Sequence, residues 1–180
     1  MIEKITELAK EILKYEQKIN IAVDMTAGNG YDSKFILDKL KPNMLYAFDI
    51  QAKAKENTNE LIGNKENFTF ILDSHENIDK YIKEKIDLAI YNLGYLPKAD
   101  KNITTNKTST LNSLKKLLAI LNKDGKIFIS VYPGHKEGKY EADALDSYLK
   151  NLDQKLFTVL KLSYPNQKNT PPYLYIISKK

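Results

Sequence analysis

The residues spaced for chemistry in this chain sit in five short clusters, and the first is D-M-T-A-G-N-G at 24–30. Gly28 and Gly30 flank Asn29, and a backbone without side chains lets a ligand approach closely. The helix that follows opens with unpaired N–H groups. Asp49 stands about twenty residues beyond the glycines, where a carboxylate accepts hydrogen bonds from both hydroxyls of a ribose, with Gln51 beside it. Asp73-Ser74-His75-Glu76 offers an Asp or Ser to the edge of a purine ring. Asn92-Leu93-Gly94-Tyr95 and Tyr132-Pro133-Gly134-His135 complete the set. Together they describe a site for a nucleotide-like ligand.

The spacing narrows the ligand. No G-K-[ST] follows the glycines, so a P-loop is excluded. A nicotinamide dinucleotide calls for G-x-G-x-x-G, but the third position here is Ser33. Asp24, four residues before Gly28, is an awkward neighbour for a pyrophosphate. It suits a cation, an ammonium or a sulfonium, and S-adenosylmethionine carries both together with a ribose for Asp49. Asp24 has a second reading, as a brace for the loop through backbone hydrogen bonds. The chain has no Cys, which removes thiolate metal sites, disulfides and a Cys nucleophile. No metal-binding cluster is visible in the sequence.

Strand-like runs must position these clusters. I-N-I-A-V-D-M, N-M-L-Y-A-F-D-I, N-F-T-F-I-L-D, K-I-D-L-A-I-Y-N-L and G-K-I-F-I-S-V-Y each end at one of them. Between them the sequence predicts helices over about 31–40, 52–63, 76–83, up to about 121, and 138–150, with Asp32 and Ser33 near the first turn of the 31–40 helix. L-F-T-V-L-K-L-S-Y and Y-L-Y-I-I-S-K read as a closing strand pair, and residues 2–18 as an N-terminal helix. Alternating strands and helices argue for a mainly parallel sheet covered on both faces, with its ligand beyond the carboxyl ends of the strands. The 180 residues suffice for a single domain with a sizeable core. A hydrophobic content of 42%, a charged content of 28% and the lack of a long apolar run exclude a membrane span and point to a cytoplasmic protein. The net charge of +5 permits an anionic partner without requiring one. Every basic residue is Lys, so phosphate contacts fall to ammonium groups, backbone N–H groups and hydroxyls.

The segments D-M-T-A-G-N-G-Y-D-S-K-F-I-L, Y-A-F-D-I-Q, D-S-H-E, Y-N-L-G-Y-L-P-K-A-D-K-N-I-T-T, S-V-Y-P-G-H-K-E-G-K-Y-E and N-Q-K-N-T-P-P-Y-L-Y-I-I-S-K resemble a group of small class I methyltransferases. That group was long labelled rRNA methylases and is understood as the tRNA 5-(aminomethyl)-2-thiouridine methyltransferases. The resemblance runs from about residue 20 to the C-terminus, and the N-terminal helix adds little to it. Met25 departs from the Thr, Gly or Ala usual around that segment. The resemblance implies a Rossmann-like, seven-stranded, mainly parallel α/β sheet with helices on both faces and an antiparallel last strand. It implies S-adenosylmethionine as cofactor. Gly28, Asn29, Gly30 and Asp32 would line its methionine end, Asp49 and Gln51 would hold the ribose and neighbouring adenine, and Ser74 and His75 would border the adenine. The implied reaction methylates the exocyclic amine of 5-aminomethyl-2-thiouridine at the tRNA wobble position.

Methyl transfer to a neutral amine needs mainly alignment. Asn92 lies where amino methyltransferases often carry an Asn-Pro-Pro-Tyr loop. Its side-chain oxygen can accept a hydrogen bond from the amine and aim the lone pair, while Tyr95 stacks on the base. Asn cannot take the proton; His135, less readily His75, or water can. Each has a plainer role available: Asn92 as a loop cap, His75 as a helix-start residue, His135 as a turn residue. Lys98, Lys101 and Lys107 after the fourth strand, and Lys168 near Pro171-Pro172, would meet anticodon-loop phosphates, with Tyr173 or Tyr95 stacking on a splayed base. The resemblance also admits a homodimer as an RNA platform. Two other functions stay open on the residues alone. One is the same chemistry on rRNA or on a small-molecule or protein amine. The other is a non-catalytic module that binds S-adenosylmethionine or RNA, against which the intact Gly-x-Gly, Asp49 and Asn92 argue.

Overall fold

Apolar runs rich in β-branched residues become strands wherever both faces can be covered, and β1 (Ile21–Asp24) is buried at every position. The computed structural model describes residues 4–16, 18–94 and 107–180. Around β1 lie β2 (Met44–Asp49), β3 (Phe68–Leu72), β4 (Ile86–Leu93), β5 (Leu121–Val131), β6 (Phe157–Leu162) and β7 (Tyr173–Lys179), in the sheet order β3-β2-β1-β4-β5-β7-β6. The pairs β1–β2, β1–β4, β2–β3 and β4–β5 are parallel. β7 runs antiparallel to both β5 and β6, as the resemblance implies. The strand order reverses between β1 and β4, which brings the ends of Asp24 and Asn92 to the crevice where such sheets bind ligands.

Helices α1 (Ile5–Leu13), α2 (Tyr31–Phe35) and α3 (Ala52–Ile62) cover one face, packing with Ala22, Leu88, Ile90 and Phe128. Helices α4 (Ile78–Tyr81), α5 (Lys107–Ile120) and α6 (Lys136–Lys150) cover the other, with Val23, Tyr91, Ile129 and Val131. Successive strand residues thus divide between the two cores as the period of two requires.

Three elements differ from the sequence reading. α1 stops at Leu13 because its buried stripe is Ile5, Ala9 and Leu13; past it come polar residues, and Lys18 takes a left-handed φ of 59° as the chain turns toward β1. α2 holds α-helical form only to Phe35, then widens into a π-type turn over Ile36–Leu40 that ends at left-handed Lys41. β5 starts at Leu121, and its pairing with β4 slips between Ile86 and Leu88 to accommodate the turn before Lys126.

Candidate active site

The loop after β1 is shaped by its glycines. Gly28 and Gly30 have φ of 53° and 80°, a region that costs other L-residues about 1–2 kcal/mol. A Cβ on Gly30 would lie 2.9 Å from the Thr58 side chain. The loop is tied to α3 by the Thr58 hydroxyl, which donates to the Gly28 carbonyl (3.1 Å), and by Asn57 Nδ2, which donates to Asn29 Oδ1 (2.8 Å). Asp49 stands behind it. Its Oδ2 accepts from Gly28 N (3.0 Å) and its Oδ1 from Gln51 N (2.9 Å). Each carboxylate oxygen has a second lone pair, so Asp49 can also accept from a ligand's hydroxyls. Ile50, the next residue, is 56% exposed and presents apolar surface beside it.

Asp24 is buried beneath this loop and braces it. Oδ1 accepts from Thr26 N (3.1 Å) and Oδ2 from the Ser33 hydroxyl (2.6 Å). Ser33 is therefore spent on this bond and not on capping α2. Burial, with Asp32 and then Asp49 adding like charge, pushes the Asp24 carboxyl up to about 7, despite the opposing Ser33 and Thr26 hydrogen bonds. Asp24, Asp32 and Asp49 thus gather three carboxyl groups around one loop, and a cation bound nearby would favour the ionised form of Asp24.

Asn92, near the end of β4, is fixed at two points. Its backbone N–H donates to the Thr26 hydroxyl at 2.7 Å, and its Nδ2 donates to Asp32 Oδ2 at 3.3 Å. A carboxylate only accepts, so the amide nitrogen must face Asp32 and the amide oxygen turns away from it. The other oxygen of Asp32 pairs with Lys10 of α1 at 2.7 Å. Lys10, Asp32 and Asn92 line a cleft with Thr6, Ala9, Phe35, Phe128 and Ser130. Tyr132 flanks the same edge: burial, and secondarily Asp32, raises its hydroxyl to about 12, and its ring stands 3.8 Å from where a Gly94 Cβ would be.

His135 is the N-cap residue of α6, partly buried. Its ring packs on Gly138, where a Cβ would come within 2.6 Å of its Cε1 and would also run into the Tyr132 carbonyl. Ser74 caps the 3-10 turn His75–Asn77, its hydroxyl accepting from Glu76 N at 3.4 Å. His75 is 6% exposed, stands edge-on to Tyr91 at 5.8 Å and leaves Nδ1 without a protein partner. Burial lowers its pKa to about 4. Its imidazole is thus a weak base near pH 7 and suits a wall better than a proton acceptor. Tyr173 is 8% exposed, donates to Asp146 Oδ1 at 3.0 Å and carries the Lys161 ammonium 3.9 Å above its ring. That ring is packed into the protein, so the expectation that it stacks on a base is not met. Tyr95, Lys98 and Lys101 lie outside the described residues, as does the side chain of Lys107. Lys168 is exposed on the segment between β6 and β7.

Hydrogen bonds thus gather Asp24, Asn29, Asp32, Asp49, Gln51 and Asn92 around the loop that carries Gly28 and Gly30, with Asp24 buried beneath it and Asp32 and Asn92 lining the cleft. Sequence reasoning missed Lys10 and Gly138, and gave Thr26 and Tyr132 no role of their own within their clusters. Among the described residues no His, Cys, Asp or Glu cluster could hold a metal, and no helix is long and apolar enough to cross a membrane.

Comparison with known proteins follows the same lines. Residues 45–178 match the family described as "Putative rRNA methylase". A chloroplastic tRNA (mnm(5)s(2)U34)-methyltransferase of Arabidopsis thaliana is 29% identical over 98% of this chain and 70% of its own length. Among solved structures, one described as a "putative rRNA-methylase" from Clostridium thermocellum superposes with a TM-score of 0.94 at 34% identity, over 100% of both chains. A protein of Streptococcus mutans described as "a putative methyltransferase", solved in complex with SAH, gives 0.89 at 41% identity, again over 100% of both chains.

Proposed function

The chain belongs to the family described as "Putative rRNA methylase", and from that premise we propose that this S-adenosylmethionine-dependent RNA methyltransferase acts on the exocyclic amine of 5-aminomethyl-2-thiouridine at the tRNA wobble position. The observation that carries this reading is the orientation of Asn92: Nδ2 faces Asp32 and the backbone is held by Thr26, so an amide acceptor is fixed at the switch point of the sheet. The relative from Arabidopsis thaliana, matched over 98% of this chain, supports the choice of a tRNA wobble amine over other RNA amines.

The residues present fit the cofactor. The left-handed glycines open the loop to close approach, Asp49 keeps lone pairs for a ribose, Ile50 offers apolar surface to a purine, and the three carboxylates suit a sulfonium and an ammonium. When bound, S-adenosylmethionine supplies a methyl group already activated by positive sulfur. The protein's task is then positioning, an effect that reaches ~7–11 kcal/mol in favourable cases. Asn92 Oδ1 accepts a hydrogen bond from the neutral amine and turns its lone pair toward the crevice. Thr26 and Asp32 keep Asn92 from rotating. Asn92 cannot take the proton that the amine loses. His135, at the start of α6, is the titratable side chain we assign to receive it. Exposed Lys168 meets backbone phosphate.

The test is mass spectrometry of nucleosides from tRNA carrying the aminomethyl group, after incubation with protein and cofactor. The expected result is one added methyl on that nucleoside. Absence of the gain on this tRNA, with methyl incorporation into rRNA, would overturn the wobble assignment and keep the methyltransferase.

A further inference from the structure

We propose that Lys10 of α1 is a positioning residue of the methyl-transfer site, holding Asp32 so that Asp32 in turn holds the Asn92 amide; this rests on the assignment of Asn92 to acceptor alignment. Asp32 divides its carboxylate between the two, with Lys10 Nζ at 2.7 Å from Oδ1 and Asn92 Nδ2 at 3.3 Å from Oδ2. The Lys10 and Asp32 side chains are 29% and 20% exposed, so the pair is screened less than one on open surface. Lys10 is itself held. Ile5, Ala9 and Leu13 anchor α1 on the sheet, and the Lys10 ammonium stands 5.6 Å from the centre of the Phe35 ring. Among the described residues it is the cation paired with any of the three carboxylates at the loop.

Removing this charge has a specific consequence. Asp32 loses its counter-charge beside Asp24 and turns toward water. Asn92 Nδ2 then loses the acceptor that sets its orientation, and the amide is free to exchange its oxygen and nitrogen ends by rotation. An amine then meets a donor where an acceptor is required. The helix that the sequence resemblance leaves out is in this way part of the site.

The experiment compares Lys10→Met, which keeps the apolar stem in the cleft, with Lys10→Arg and Lys126→Met. Lys126 bonds Glu16 just beyond α1 at 2.6 Å and touches none of the site residues, so its loss loosens the same segment without altering Asp32. Lys10→Met is expected to lower kcat about 10- to 100-fold with the cofactor KM changed less than about threefold, and Lys10→Arg to recover most of the rate. Lys126→Met is expected to stay near wild type in kcat. The Asn92 side-chain amide signals in a ¹H–¹⁵N spectrum of the cofactor-free protein, identified by their loss in Asn92→Ser, should move in Lys10→Met and not in Lys126→Met. Equal kcat losses in the two methionine variants, or unmoved Asn92 signals in Lys10→Met, would overturn the proposal. The spectrum needs no acceptor RNA, so it decides the role of Lys10 even if the wobble substrate is wrong.

Discussion

Asp24→Asn offers a direct measure of how far the loop depends on a buried acid. The Asp24 carboxyl is 1% exposed and titrates near 7 instead of 3.8, chiefly because it is buried. Below about pH 4 the group is protonated in both folded and unfolded chains and contributes no pH dependence. Between about pH 4 and 7 the unfolded chain has released the proton and the folded chain has not, so stability falls as pH rises. The slope is ~1.4 kcal/mol per pH unit, and the whole effect is ~4 kcal/mol, complete above about pH 7. Asparagine keeps the shape: its oxygen can accept from Thr26 N and its nitrogen can donate to the Ser33 hydroxyl, with no proton to titrate. Urea unfolding of both proteins should therefore show the variant gaining on wild type by ~2–3 kcal/mol between about pH 5 and 8. A difference that is flat with pH, or that shrinks as pH rises, would mean Asp24 is ionised throughout and would refute the reasoning. The same linkage applies to binding. A cationic cofactor favours the ionised carboxyl, so its affinity should rise with pH toward 7 in wild type and stay level in the variant.

Other perturbations have equally definite signs. Asn92→Ala should lower kcat about 100-fold, with cofactor binding by calorimetry within about threefold of wild type; unchanged turnover would remove Asn92 from the alignment role. Gly30→Ala combines a left-handed φ with a 2.9 Å approach to Thr58, so thermal melting should show a loss of about 1–3 kcal/mol together with weakened cofactor binding. Gly138→Ala would stabilise an ordinary helix by about 1 kcal/mol. Here the collision with the Tyr132 carbonyl and the His135 ring should reverse the sign and lower both melting temperature and turnover. Binding of tRNA, measured by filter retention, should weaken steeply between low and moderate salt because contacts by lysine to phosphate release counterions.

The gathering of Gly28, Gly30 and Asp49 around one loop was readable because its logic is local. Gly28, Gly30 and Asp49 follow strands directly, and strand, turn and helix succeed one another within a few residues. The bond of Gly28 N to Asp49 joins two such strand ends that parallel pairing places side by side. What escaped depends on distant residues. Lys10 lies on a helix whose pattern speaks only of its buried stripe, and nothing in the sequence says which strand end its polar side will meet. Ser33 had the look of a residue available to the first turn of α2, yet tertiary packing gives its hydroxyl to Asp24. His75 and Tyr173 were correct in type for a site, but burial silences the titration of one and covers the ring of the other. Gly138 left no signal because its neighbours Tyr132 and His135 reach it only once the chain turns into α6.

The antiparallel β7 has an effect on how this sheet can change. By pairing Tyr173 with Val131 and Leu174 with Leu162, it returns the segment between β6 and β7 to the same rim as Asn92, at the opposite end of the sheet from β3. The glycine loop, Asp49 and the exposed Ile50 beside it are all built from β1 to β3. The segment between β6 and β7 can therefore lengthen, shorten or change sequence at a distance from the loop after β1 and from Asp49. Besides the β1–β4 ladder and the bond from Met25 N to the Ile90 carbonyl, Asn92, stitched to Thr26 and Asp32, crosses the seam at this rim. On the proposed assignment of the site, such an arrangement lets acceptor preference drift while methyl-donor binding stays fixed.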